Sequence, residues 1–133
     1  MFTINNKSDY ALLLVSHISS KKEFIPLSRL VVETKLPKRF IARIAADLAR
    51  NGILESKEGK DGGYRLMKSL SKISLFDFLR VFEKDLRLVK CQISGYQCDF
   101  NRLCTHKNQL RQKIAGIFVN QLTNWTLQDL IKN

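Results

Sequence analysis

"PLSRLVVETKLPKRFIARIAADLARNGILESKEGKDGGYRL", Pro26 to Leu66, contains the order of elements that decides the fold. Leu27, Leu30 and Val31, with Leu36 beyond them, suit a short helix. That helix must end before Pro37, because proline has no N–H and disfavours the α conformation in the residue ahead of it. A tight turn carrying Lys35 follows. Pro37 suits the first position of a helix, and "PKRFIARIAADLARNG" predicts one running to Gly52 as its C-terminal stop. Phe40, Ile41, Ile44 and Leu48 are its expected buried stripe, with Arg39, Arg43, Asp47 and Arg50 on the opposite face. Two short helices joined by a tight turn, the second cationic, outline a helix-turn-helix.

"ILESKEGKDGGYRLMK" then reads as a two-stranded hairpin. Ile53 and Leu54 enter, Tyr64, Leu66 and Met67 return, and "EGKDGG" supplies the positive-φ positions of the tip. A hairpin directly after a basic helix is the wing of a winged helix, and Lys57 and Lys60 put cations on it.

Working outward, Tyr10, Leu13, Leu14 and Ile18 mark a first helix over Lys7–Ser19, with Ser8 or Asp9 placed to cap it and His17 near its buried stripe. Downstream, "SLFDFLRVFEKDL" begins with a Ser74/Asp77 capping-box spacing and is apolar nearly all round. A helix over about Asn108 to Leu122 carries Leu110, Ile114, Ile117, Phe118 and Leu122 on one stripe, with Gly116 permitting close approach of a neighbour. Such a stripe beside so apolar a helix suggests a partner chain. A last short helix begins at Thr126, with Asp129 completing a capping box. The fold class expected is therefore mainly α with a small β-hairpin wing. Residues 1–70 would be the winged helix-turn-helix and residues 71–133 the dimerisation helices with the cysteine loop.

The 133 residues carry a formal charge of +11 and a pI near 9.9, which points to a polyanionic partner. The apolar run Ala11–Val15 is too short to span a membrane, so a soluble cytoplasmic protein is expected. There is no GxSxG, P-loop or GxGxxG, and no enzyme is expected.

All three cysteines fall in "CQISGYQCDFNRLCTH", Cys91–His106. Thiols stay reduced in the cytoplasm and an odd number cannot pair off, so metal or redox chemistry is favoured over a disulfide framework. The spacing Cys-x6-Cys-x5-Cys-x-His lets three thiolates converge from one loop, which suits an iron–sulfur cluster or a Cys3His zinc site. The absence of tight Cys-x2-Cys pairs favours the cluster. A Cys-x-His pair at a helix start should point its two side chains apart, which weakens His106 as a ligand.

"SDYAL" at Ser8–Leu12, "LARNGILESKEGKDGGYRL" at Leu48–Leu66, "ISLFDFLRVFE" at Ile73–Glu83, the three cysteines and "TLQDLI" near the end together resemble the winged-helix iron–sulfur regulators of the Rrf family, which include IscR-, NsrR- and RirA-like repressors. The resemblance covers nearly the whole chain. It implies a homodimeric transcription factor, a repressor on the pattern of those groups, that binds a pseudo-palindromic operator in double-stranded DNA. It would sense nitric oxide, iron or redox state through a 4Fe-4S or 2Fe-2S cluster. Cys91, Cys98 and Cys104 would be cysteine ligands. IscR-like members take their fourth ligand from a histidine three residues beyond the last cysteine, where this chain has Lys107, with His106 one place earlier. NsrR-like members use an aspartate from the partner's first helix, and Asp9 stands there. Ala42 replaces the glutamate of IscR-like recognition helices, which also resembles the NsrR group. The expected DNA-contacting set is Ser28, Lys35, Lys38, Arg39, Ala42, Arg43, Arg50, Lys57 and Lys60. The competing reading keeps the winged helix but makes the loop a zinc staple or a cluster-free thiol switch at Cys98 or Cys104.

Overall fold

In the computed structural model, which describes residues 5–83, 86, 90–92 and 94–131, the first helix is α1 (Asn6–Ser19). Ala11, Leu14, Val15 and Ile18 are buried along it at helical spacing. Leu13, expected in that stripe, is 53% exposed, because the α1 face turned to the core runs through Ser8, Ala11, Val15 and Ile18 instead. The cap is also different from expectation. Asn5 occupies the N-cap and its side chain accepts from the Ser8 N–H, while the Ser8 hydroxyl is buried and turned to another element.

The next two helices are α2 (Leu27–Thr34) and α3 (Lys38–Arg50), joined by a turn in which Lys35 takes the left-handed conformation, φ 60°. Pro37 is the N-cap rather than the first helical residue. Ile41, Ile44, Ala45 and Leu48 are buried, whereas Phe40 is 42% exposed and sets its ring edge-on to Tyr10 at 5.9 Å. Small Ala45 lets α3 close against its neighbours on that side, which rotates Phe40 to the margin. The helix ends in a Schellman motif: Gly52, at φ 74°, donates to the Ala49 carbonyl and Ile53 donates to that of Leu48. Leu48 and Ile53 are both buried, which supplies the apolar contact that accompanies this stop.

Strands β1 (Leu54–Lys57) and β2 (Gly63–Leu66) pair antiparallel with Leu54 opposite Leu66 and Lys57 opposite Gly63. Ile25 bridges to Tyr64 through two 2.9 Å hydrogen bonds, so the segment ahead of α2 lies along the free edge of β2. The carbonyl of Ile25 sits where a side chain on Gly63 would begin. That is the physical reason for the second glycine of "GGY".

After a 3-10 turn at Leu70–Lys72 comes α4 (Leu75–Phe82), burying Leu75, Phe78, Leu79 and Phe82, with Phe76 and Val81 half-buried. The Ser74 hydroxyl accepts from the Asp77 N–H. The reciprocal half is not among the described hydrogen bonds; on either side of Ser74 the Leu75 N–H donates to the Trp125 carbonyl and the Ile73 carbonyl accepts from the Leu127 N–H, which ties the start of α4 to the segment ahead of the last helix. The expected extension of this helix over Lys84 and Asp85 lies outside the described residues. A short 3-10 turn holds Lys90–Gln92, and α5 (Lys107–Asn124) is the longest helix described. Of its expected stripe Leu122 is buried, Leu110, Ile114 and Phe118 are half-buried, and Ile117 is 66% exposed. Gly116 meets no other group at the position of a Cβ. The last helix, α6 (Leu127–Leu130), starts with the predicted Thr126/Asp129 capping box and returns to Ile73 through the Leu127 N–H at 2.9 Å. A single apolar cluster joins α1, α3, α4 and α6. The fold is mostly helical with a two-stranded wing.

Candidate nucleic-acid interface and cysteine cavity

Thr34 fixes the turn of the helix-turn-helix. Its hydroxyl donates to the Leu30 carbonyl at 2.6 Å and accepts from the Leu36 N–H at 3.3 Å, which holds the backbone through the left-handed Lys35. Lys35, Lys38, Arg39 and Arg43 are exposed on this turn and along the outer face of α3, with Ala42 half-buried among them. Ser28 is exposed at the start of α2. Arg50, at the far end of α3, is paired with Asp47 one turn back, so its charge is already partly answered. On the wing, Lys60 is exposed at the tip. The ammonium of Lys57 stands 5.6 Å from the Phe24 ring centre and the guanidinium of Arg65 stands 4.1 Å from it. Arg65 also pairs with Glu55 across the strands at 2.9 Å. Phe24 and Arg65 thus hold the wing's cationic side, and neither stood out in the sequence because each is isolated among residues of other types.

The back of the helix-turn-helix carries the counter-charge. Glu33 of α2 takes Arg29 on one carboxylate oxygen and His17 of α1 on the other, the latter at 2.9 Å. His17 is therefore a half-buried side chain that links α1 to α2 through Glu33. The Arg29 hydrogen bond, followed by that of His17, holds the Glu33 carboxyl below the usual carboxylate range, and the same Glu33 contact raises Arg29.

Asp9 is exposed in the first turn of α1. That turn is pinned from beneath: one oxygen of Glu83, at the end of α4, accepts from the Asn5 N–H and from the Ser8 hydroxyl, both at 2.8 Å. The Asn5 amide also donates to the Phe82 carbonyl at 3.1 Å. Ser8 is fully buried, so this carboxylate satisfies a hydroxyl that water cannot reach. It also sets a negative charge at a helix N-terminus. No local pattern could have revealed a clamp between residues 75 apart.

Cys91, Cys98 and Cys104 are half-buried and all line one cavity of about 750 Å³ between the loop and the start of α5. Successive tight turns shape its wall, with Asn101 donating to the Cys98 carbonyl, Cys104 to that of Phe100, and Gly95 at φ 79°. The Cys104 sulfur lies 3.7 Å from both ring nitrogens of His106. The two side chains therefore meet, against expectation, because Cys104 precedes the helix and His106 is its N-cap. Equal distances place the sulfur off the axis of either nitrogen lone pair, so His106 faces the thiol without aiming at what the thiol would hold. Asp9 does not line the cavity. Among the described residues no three His, Cys, Asp or Glu side chains stand close enough to hold a single metal ion, and no helix is long and apolar enough to cross a membrane. Arg111 also contributes to the lining, and its Nε is itself buried with no hydrogen-bond partner among the described residues.

Comparison with known proteins places this architecture. The family model Rrf2, described as an iron-dependent transcriptional regulator, matches residues 4–133. The HTH-type transcriptional regulator NsrR of Bacillus licheniformis is 26% identical over 134 residues, covering 98% of this chain and 92% of that protein. Among solved structures, CymR, the global cysteine regulator of B. subtilis, superposes with a TM-score of 0.72 at 22% identity, covering 98% of this chain and 97% of its own. IscR of T. potens superposes with a TM-score of 0.66 at 19% identity, covering 97% and 85%.

Proposed function

We propose the following on the premise that the chain belongs to the Rrf2 family and is a DNA-binding transcriptional regulator, not an enzyme: it is a homodimeric repressor whose operator affinity is set by an iron–sulfur cluster held on Cys91, Cys98 and Cys104. The observation that carries this reading is that all three thiols line one roomy cavity behind a winged helix-turn-helix. The residues fit such a group. Three thiol donors around one cavity suit a group large enough to reach all of them, and among the described residues no three ligands stand close enough for a single ion such as zinc. Bound there, a cluster supplies a centre that responds to nitric oxide, iron supply or redox state.

The remaining parts follow from this chain's own residues. Residues 1–70 read DNA and residues 71–133 sense and dimerise. Lys35, Lys38, Arg39 and Lys60 meet phosphates, while Arg43 and Ala42 face base edges in the major groove. Ser28 and Lys57 add backbone contacts at the two margins, and Arg50 does so after release from Asp47. A second copy covers the apolar residues that α5 leaves exposed, including Ile117 and Val119. Asp9 of each subunit serves as the fourth ligand at the other's cavity, with His106 as the alternative.

The test is anaerobic purification of wild type and Asp9→Ala, with absorption spectrum, iron, sulfide and zinc analysis, and titration of a promoter fragment. Iron with sulfide in wild type, an altered spectrum in Asp9→Ala and different operator affinities for holo and apo protein are expected. A colourless protein, or equal affinities, refutes the sensor reading. A second reading has a specific observation behind it: the three thiols are free and half-buried, and the Cys104 sulfur stands 3.7 Å from the His106 ring nitrogens. In that reading a cluster-free thiol switch at Cys104, or at Cys98, replaces the metal centre, and CymR, a cysteine regulator, supplies the precedent for the fold. Operator affinity that tracks thiol oxidation in metal-free protein would select it.

A further inference from the structure

We propose, resting on the reading above that Lys57 meets a DNA phosphate, that Phe24 is the positioning residue of the wing: its ring holds the Lys57 ammonium ready for the duplex without answering its charge. The Ile25–Tyr64 bridge is antiparallel, so Phe24 stands level with Arg65 at the free edge of β2, and Arg65 stands opposite Glu55 of β1. Phe24, Arg65 and Glu55 thus form one row across the wing, with their side chains on one face. Lys57, two residues along from Glu55, shares that face. Its partner in the register, Gly63, puts no side chain between it and the ring. The contacts follow from this placement: the Arg65 guanidinium is 4.1 Å and the Lys57 ammonium 5.6 Å from the Phe24 ring centre. Both lie within the range over which an aromatic ring attracts a cation.

The two cations do different things there. Arg65 also pairs with Glu55 at 2.9 Å, so the carboxylate beside Lys57 on that face is already engaged. Among the described residues no carboxylate pairs with Lys57. An ion pair would hold the ammonium but would answer much of the charge that a phosphate requires, as Asp47 does for Arg50. A ring carries no net charge, so it fixes the ammonium and leaves that charge whole. A side chain fixed in advance also loses less rotamer freedom on binding than a free one. The ring is itself anchored, since Phe24 is half-buried and its neighbour Ile25 makes the two 2.9 Å hydrogen bonds to Tyr64.

The test is the affinity of the full-length protein for a labelled mixed-sequence duplex over a range of salt concentrations. Phe24→Leu keeps apolar bulk and removes the ring, Phe24→Tyr keeps the ring, and a fluorinated phenylalanine placed at position 24 alone keeps the shape while drawing charge from the ring face. Lys57→Ala should make the slope of log K against log salt shallower by about 0.9. Phe24→Leu and the fluorinated protein should each bind about two- to fivefold more weakly than wild type, and Phe24→Tyr should bind as wild type does. In the Lys57→Ala background neither change at position 24 should weaken binding further. A role confined to packing would weaken binding in both backgrounds and would not respond to fluorination. Wild-type affinity in the fluorinated protein, or a Phe24→Leu loss undiminished by Lys57→Ala, overturns the role of Phe24 and leaves the Lys57 contact standing. Lys57→Ala with wild-type affinity and slope overturns that contact and this inference with it. Should Phe24→Leu fail to fold, the fluorinated protein, alone and combined with Lys57→Ala, decides the question.

Discussion

Substituting Gly63 by alanine should unhang the wing. Gly63 lies at φ 142°, and a Cβ there would stand 2.1 Å from the Ile25 carbonyl oxygen, 2.3 Å from its carbon and 2.6 Å from the Pro26 nitrogen. All three neighbours are backbone, so no side chain can swing away, and the Ile25–Tyr64 bridge with its two 2.9 Å hydrogen bonds must open. Those bonds contribute about 0.5–1.5 kcal/mol each, so about 1–3 kcal/mol together. Backbone strain in this region costs a side chain about 1–3 kcal/mol more. Gly59, at φ 100° on the same hairpin, has nothing within 4 Å, so Gly59→Ala carries the strain without the collision. In urea unfolding followed by circular dichroism, a slope of about 1.5 kcal/mol per M makes the difference between the two variants about 0.7–2 M in midpoint. Gly63→Ala should also bind a promoter fragment more weakly than Gly59→Ala, since the wing is what moves. Equal midpoints for the two variants would refute the claim that Ile25 supports the wing through this glycine.

Glu83→Ala strands the buried Ser8 hydroxyl and the Asn5 N–H, and should cost about 2–4 kcal/mol in chemical denaturation. Adding Ser8→Ala should then cost much less than Ser8→Ala alone, and additive effects in that cycle would dissolve the clamp. Arg43→Ala should reduce discrimination between operator and altered operator by about 1–3 kcal/mol, while Lys60→Ala should weaken all duplexes alike and flatten the salt dependence; competition binding separates the two. Because Arg29 and His17 hold the Glu33 carboxyl low, their contribution to stability is complete above the ordinary carboxylate pKa and is lost as pH falls through the depressed folded value. Acid unfolding of Glu33→Gln should therefore show a shallower pH dependence than wild type below about pH 4, and identical curves would remove the network from the account.

The helices, the wing and the cysteine loop were legible because each leaves a local signal: 3.6-residue apolar spacing, glycines at a hairpin tip, thiols clustered in one segment. Where the reading slipped, the determinant was not local. Phe40 and Leu13 satisfy helical spacing as well as their neighbours do, and only the close approach allowed by Ala45, and the direction in which Ser8 is buried, decides which side faces inward. Ser8 reads as a cap, yet Asn5 takes that position because a carboxylate 75 residues away claims the serine. His106 came nearer to Cys104 than its spacing suggests, since both stand ahead of the first helical residue, Lys107. Arg111 is one of several cations on α5, and nothing in the sequence separates a buried donor from a solvated one.

On the proposed function, these same non-local contacts give the cysteine loop a route to the DNA-binding elements. Helix α1 packs on α2, α3, α4 and β2, so it is the element shared by the reading head and the sensing half. Its first turn holds Asp9 and is fastened by Glu83, the last described residue of the α4 segment before the stretch that leads to Cys91. A close-packed core transmits displacement of such a helix as a rigid movement instead of absorbing it. Engagement of Asp9 at a partner's cavity would then compete with, or reinforce, the setting that Glu83 imposes. The energies are commensurate: a hundredfold change in operator affinity needs about 2.7 kcal/mol of differential stabilisation, and hydrogen bonds to one charged carboxylate contribute about 1.5–3 kcal/mol each. On the proposed function, a switch of regulatory size therefore needs a change of only one or two such hydrogen bonds at the first turn of α1, and no rearrangement of the core.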